Sequence, residues 1–444
     1  MRNCIIVFII IFCCLQAFVA QAVEQDQIKK YIEQNYPADF FLTNAQLDQL
    51  SWAFAHETRS YDMDVLVDKP ELHVEISRAL TRMYCARLLR SGNRESYHKF
   101  VKAQIESGIT QPLTIATYNK LAQHMQNIKA EDYELLENAA ILSAVSLSKP
   151  AAQLAQKVID IQPEMLGAGD FLAATLRSEM NIYPLVAQNT AQNEAAKKIL
   201  FILFPPQTNF RHMLYTEGGI GMFNYLRTMI RHGFIDQTAL DLWYAHWIIN
   251  IAGFRGAIKQ NGSIYLNEPV AQAMLSLKSF VDEMLHDPNL DPLTPYLQYR
   301  AKSLGFDQLP REQSLFLAHM ACMLRIYTVA EANKLQQALH KLSKEDQQQV
   351  FAYFISGLED PTLITPTHVP ALFANALELS NGDVGLVIAR LMPIYNSAIA
   401  AISKQNLSRL CFNQLSASVN LQRILASDAT FKLLIEKDGT VMLG

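Results

Sequence analysis

Glycine and proline are scarce, 17 of each in 444 residues, and they fall in clusters rather than at the regular intervals that many short strands and tight turns need. That argues against a sandwich or a barrel. The prevalence of Leu, Ala, Gln, Ile and Lys argues for helix instead. One-signed charge is lacking as well: 38 basic residues stand against 42 acidic ones, with no run of five or six like charges. There is thus no electrostatic footprint for nucleic acid or for an anionic membrane surface.

Cysteine is also in short supply. Of six, Cys4, Cys13 and Cys14 sit near the start, leaving Cys85, Cys322 and Cys411 spread along the rest of the chain. Three distant cysteines allow at most one internal disulfide and leave a thiol over, which excludes a disulfide scaffold. Each has apolar neighbours, as in Met83-Tyr84-Cys85 and Ala321-Cys322-Met323, and this predicts buried, inert thiols. Complete catalytic motifs are missing: there is no G-x-S-x-G elbow, H-E-x-x-H, paired C-x-x-C, EF-hand loop, Walker A or G-x-G-x-x-G sequence.

What is present begins with an address. Arg2, the apolar run from Ile5 through Leu15, and Ala20-Gln21-Ala22 form the pattern of a secretory signal peptide over residues 1–22, with cleavage expected before Val23. Phe12 stands where a lipoprotein signal needs a small residue before Cys13. The expectation is a periplasmic or secreted protein with no membrane span after cleavage.

Hydrophobic periodicity then predicts a mainly α protein, an irregular multi-helix bundle or helical stack with one or two short β-hairpins. Three consecutive regions are expected: N-terminal helices over 23–205, a central helical region with a hairpin over 206–290, and C-terminal helices over 291–444. In the first, Pro70 opens a helix whose stripe is Ile76, Leu80, Met83, Tyr84 and Leu88, closed by Gly92. Arg78, Arg82 and Arg90 fall off that stripe and read as a solvated face. Further helices are expected at 150–161 and 169–180, and the run 199–204 suits either a helix end or a short strand. Ala257 to Leu266, around Asn261-Gly262, reads as one hairpin, and Phe431 to Leu443, around Asp438-Gly439, as another. The nearly apolar stretch from Val384 to Lys404 is interrupted by Arg390, Pro393 and Asn396, which favours a buried helix over a membrane span.

Chemistry-bearing residues concentrate between Pro205 and Pro269. Asp236 is placed to cap a helix from Gln237 to Ala252, on which Trp243, His246 and Asn250 share a face. With Trp247 and Arg255 they form a candidate ligand-binding lining, against the plainer reading of a His and an Asn hydrogen-bonded within a core. Gly218, Gly219 and Gly221 precede another helix and are candidate anion contacts, or a simple turn and cap. His246 with His286 and Asp287, and Asp307 or Asp360 as further carboxylates, offers the residue types of a helical hydrolase that uses a divalent metal to activate water. Pro288 ends the helix directly after that doublet. The Glu95/His98 and Glu283/His286 pairs have di-iron spacing, but they sit at helix ends rather than mid-helix. The sequence therefore favours an exported helical protein that binds a protein partner or a small ligand without a cofactor. The alternative is a metal-dependent hydrolase.

Overall fold

The computed structural model describes residues 26–54, 74–145, 208–426 and 431–444. The expected signal peptide, Pro70, the helices expected at 150–161 and 169–180 and the run 199–204 lie outside the described residues. The described chain is mainly helical, with one short antiparallel hairpin. Its elements group into two compact units.

Described residues 26–54, 74–145 and 241–268 make up the first unit. It contains α1 (26–35), α2 (Asn44–Phe54), α3 (Val74–Ser91), α4 (Arg94–Glu106), α5 (Ile115–Asn127), α6 (Ala130–Val145) and most of α9 (Gln237–Ala252). Several helix starts follow local chemistry. Thr43 and Gln46 form a reciprocal cap at α2, the Asn93 side chain accepts from the Ser96 N–H at α4, and Asp236 Oδ1 accepts from the Ala239 N–H at α9.

Helix α3 is the hub and packs against α4, α5 and α6. Its stripe of Ile76, Leu80, Met83, Tyr84 and Leu88 is buried, but so are two of the three arginines expected on a solvated face, while Arg90 is half-buried. Arg78 is 4% exposed and Arg82 8%, because neighbours cover this helix beyond its apolar stripe. Arg78 pairs with Glu75 at 2.8 Å and donates through Nε to the Phe254 carbonyl, while Arg82 donates to Ser143 Oγ. Arg90 donates to the carbonyls of Met125, Gln126 and Ile128, satisfying the C-terminal end of α5.

The segment after α9 lies directly on α3. A β-carbon on Gly253 would come within 2.5 Å of the Arg82 side chain, and one on Gly256 within 2.6 Å of Thr81 Oγ1. The hairpin expected between Ala257 and Leu266 does not form: those residues are turns and bends with no ladder. Their hydrogen bonds go to neighbouring segments instead. The Ser263 N–H donates to the Phe100 carbonyl at 2.9 Å, and Gln104 Nε2 donates to the Leu266 carbonyl at 3.0 Å. Gly262 is needed for close approach, since a β-carbon there would lie 2.6 Å from the carbonyl oxygens of both Lys99 and Phe100.

Described residues 208–240, 269–426 and 431–444 make up the second unit. It begins with α7 (Phe210–Leu214), a 3-10 turn (Ile220–Phe223) and α8 (Asn224–Arg231). After α10 (Glu268–Glu283) come α11 (Leu293–Ser303), α12 (Arg311–Met323), α13 (Val329–His340), α14 (Lys344–Glu359), α15 (Val369–Leu379), α16 (Val384–Gln405) and α17 (Ser418–Ala426). Helix α16 is long and apolar enough to cross a membrane, yet it packs against α13, α14, α15 and α17, and 56% of its most apolar window is buried. Asn396 on its buried face donates to the main-chain and side-chain oxygens of Asp346. The terminal hairpin forms as expected: β1 (Leu433–Ile435) pairs antiparallel with β2 (Val441–Leu443), Leu434 opposite Met442. It docks beside Cys411, whose N–H donates to the Gly439 carbonyl and whose carbonyl accepts from the Val441 N–H. Cys85, Cys322 and Cys411 are all free and buried.

Candidate functional site

The second unit holds a small cleft, part of it open to solvent. One rim is the loop leaving α7. Asn209 caps that helix by accepting from the N–H groups of Arg211 and His212. At its other end the Thr216 N–H donates to the Met213 carbonyl and the Glu217 N–H to the His212 carbonyl, with Thr216 at a left-handed φ of 51°. This is the Schellman arrangement, usually built on glycine. Here a threonine takes the position, fully buried, with its Oγ1 donating to the Tyr215 carbonyl at 2.8 Å. The tight stop turns Glu217 and Gly218-Gly219 onto the cleft.

Glu217 is held from two directions. Its Oε2 lies 3.2 Å from His212 Nε2, and its Oε1 accepts the main-chain N–H of His368. Only 8% of its side chain is exposed. Burial raises its carboxyl pKa, opposed by His368, Arg211 and Arg325. The His212 pKa is drawn down to about 4 by partial burial and by Arg211, so near neutrality a neutral imidazole faces the carboxylate. His368 itself has a left-handed φ of 65° at the start of α15.

The opposite wall comes from α12 and α14. His319, in the middle of α12, stacks on Phe354 of α14 with ring centroids 4.6 Å apart. Its Nδ1 is buried without a hydrogen-bond partner, and burial lowers its pKa to about 3. Leu293, Met323, Val350, Leu363 and Tyr395 add apolar surface, and Thr365 adds a hydroxyl beside Gly218. Gly219 is fixed by close approach: a β-carbon there would lie 2.2 Å from the Gly357 carbonyl oxygen. The same holds at Gly221, where it would lie 2.4 Å from the Pro361 carbonyl oxygen.

The residues singled out in the sequence are distributed as follows. Gly218 and Gly219 line this cleft. They lead into the 3-10 turn, which contains Gly221 and runs directly into α8. Trp243 is fully buried, Trp247 and His246 are 7% and 5% exposed, and Asn250 and Arg255 are half-buried. The His246 ring lies edge-on to Trp247 at 5.5 Å, and its pKa is lowered to about 3 by burial and by Arg82. Trp243, His246 and Trp247 belong to the core around α9, while Asn250 and Arg255 lie at its edge. Asp287 closes the loop after α10, its Oδ1 accepting from the Asn289 N–H, and the His286 N–H donates to the Glu283 carbonyl. Among the described residues no group of three or more His, Cys, Asp or Glu side chains is placed to hold a metal ion; His246 belongs to the first unit, His286 and Asp287 to the second. Sequence reasoning passed over His319 and Thr365. The available signal was the imidazole alone in the apolar run Leu315-Phe316-Leu317-Ala318-His319-Met320.

Fold and cleft together define a mainly helical class of protein with a lined concavity among the described residues of its second unit. Residues 65–385 match DUF6829, described as a family of unknown function, and the chain belongs to that family. No curated protein and no solved structure matches the chain.

Proposed function

We propose that this protein is an exported binding protein whose small-molecule ligand occupies the cleft between the Gly218-Gly219 loop and helices α12 and α14. The observation that carries the reading is a largely apolar concavity, lined by Leu293, Met323, Val350, Phe354 and Leu363, with Glu217, His319 and Thr365 as its few polar groups. Ligand sites combine apolar walls with a few polar groups in this way. Export is supported by Arg2, the apolar run behind it and Ala20-Gln21-Ala22. The near balance of charge favours a ligand other than nucleic acid.

The test is titration of the mature chain with 1-N-phenylnaphthylamine, an uncharged dye that brightens in apolar surroundings. Wild type is expected to enhance its emission saturably. Val350→Trp, which fills the cleft from α14, is expected to abolish that enhancement while leaving the helical circular dichroism unchanged. Thr365→Phe provides a second block from the opposite side. Undiminished dye binding in both folded variants would overturn this location for the site. N-terminal sequencing of protein recovered outside the cytoplasm is expected to begin at Val23.

A further inference from the structure

Resting on the reading of the cleft as a small-molecule site, we infer that its ligand bears an oxyanion, a carboxylate or a phosphate. That group is held at the solvent-open mouth by the N–H groups of Gly218 and Gly219 and the Thr365 hydroxyl, in the positive field of Arg211 and Arg325.

The unspent hydrogen-bonding capacity here is that of donors. Gly218 and Gly219 line the cleft, and neither N–H donates to a protein group among the described residues. Thr365 lines it too, and its hydroxyl makes no hydrogen bond among the described residues. These groups are neighbours, since a β-carbon on Gly218 would come within 3.4 Å of Thr365 Oγ1. Successive main-chain N–H groups can only donate, and together they make a concavity suited to an anion. The carboxylate of the same lining is already engaged: Glu217 Oε2 faces His212 Nε2 at 3.2 Å, and Oε1 accepts the His368 N–H. A ligand must therefore bring acceptors.

Charge gives their sign. Arg211 and Arg325 both act electrostatically on Glu217, yet its bonded partners are the two histidines. Arg325 lies over the Tyr215 ring, 4.8 Å from its centroid, at the turn that leads into Glu217. Thr367 pairs through its main chain with Leu410 and Phe412, which brings Arg409 near His368 as a further cation. Two guanidinium groups beside one carboxylate favour a second negative charge, and an ammonium ligand would be repelled.

The mouth is also accessible. The His212 side chain is 42% exposed, Arg211, Gly219, Arg325 and Thr365 are half-buried, and His368 and Arg409 are exposed. The charged group thus needs no room in the narrow interior. Backbone strain gathers at the same place. Five non-glycine residues have a left-handed φ among those described; Asn381 and Asn406 are of the type that tolerates it, and the others are Thr216, Arg325 and His368. Thr216 precedes Glu217, His368 bonds it, and Arg325 supplies one of the guanidinium groups, a clustering found at ligand sites.

The experiment is calorimetric titration of the mature chain with inorganic phosphate, butyrate and butylammonium at neutral pH and low salt, alongside titration with 1-N-phenylnaphthylamine. Wild type is expected to bind phosphate or butyrate at least about tenfold more tightly than butylammonium, and the tighter anion names the group. Arg325→Gln is expected to weaken that anion about tenfold with the dye unchanged, the lower end for an interaction with a charged group. Glu217→Gln removes a like charge and is expected to tighten the anion severalfold, a direction that a purely structural role for Glu217 does not give. It also covers a failure of the Arg325 variant to fold. If the dye binds but butylammonium matches both anions, or neither anion binds, the inference is wrong and the site reading stands. The inference is equally wrong if the anion is indifferent to both substitutions in folded protein. If neither the dye nor any of the three ions binds wild type, the site reading fails and takes the inference with it.

Discussion

Gly219 rests against the main chain of Gly357, so close that a β-carbon on Gly219 would sit 2.2 Å from the Gly357 carbonyl oxygen. The obstacle is backbone, which cannot swing aside as a side chain can. Gly219→Ala should therefore push the loop away from α14 and destabilise the protein by about 1–3 kcal/mol, as overpacking does. Gly218→Ala should cost less, because its β-carbon would meet only the side chains of Met222 and Thr365. Urea midpoints of the two variants check the ranking. Equal midpoints would mean that the close approach is not a constraint.

The Arg78–Glu75 pair in the first unit is 5% exposed on each side chain and 2.8 Å long. Removing one partner strands a buried charge, so Arg78→Ala should cost about 3–5 kcal/mol. Replacing both residues with methionine should cost markedly less than adding the two single truncations. A double-mutant cycle by chemical denaturation measures the difference.

Acid should unfold this protein through its buried histidines. His246 and His319 have folded pKa values of about 3, below the ordinary 6.5. Between those values the unfolded chain binds protons that the folded one refuses, so stability falls as pH drops from 6.5 toward 3. His319→Phe should flatten part of that slope. Glu217 acts with the opposite sign. Its raised pKa means that its contribution is fully present below the unfolded carboxyl value and is lost as pH rises through the folded one. Glu217→Gln should therefore steepen the acid limb, which denaturation midpoints at a series of pH values will record.

Thiol counting tests burial and processing together. Cys85, Cys322 and Cys411 are buried, and burial raises the thiol pKa of the first two. In the native mature protein these three should resist an aromatic disulfide reagent over minutes. Under denaturant a chain cleaved before Val23 should titrate three thiols, and an uncleaved chain six.

Local chemistry made most helices legible. The Thr43 and Asp236 caps, the stop at Gly92 and the Asp438-Gly439 turn each act within a few residues of the element they set. Legibility failed where a residue answers to a distant part of the chain. Arg78 and Arg82 fall off the apolar stripe of α3, and an off-stripe arginine reads as solvated unless the helix is covered well beyond that stripe. Asn261-Gly262 has hairpin composition, yet the missing β-carbon of Gly262 serves the approach to α4. Trp243 and His246 do share a face, but that face is core. The cleft was the least legible part, because Glu217, His319 and Thr365 meet across about 150 residues of intervening chain.

The return of residues 241–268 to the first unit has a consequence for biosynthesis. The Ser263 N–H bonded to Phe100, the Leu266 carbonyl bonded to Gln104, and Gly253 seated on Arg82 all lie well downstream of the helices they complete. A nascent chain cut short after residue 206 exposes α3 and α4 without these partners. The first unit matures only when residue 268 has been delivered, so on the export route proposed above the chain crosses unfinished for more than half its length.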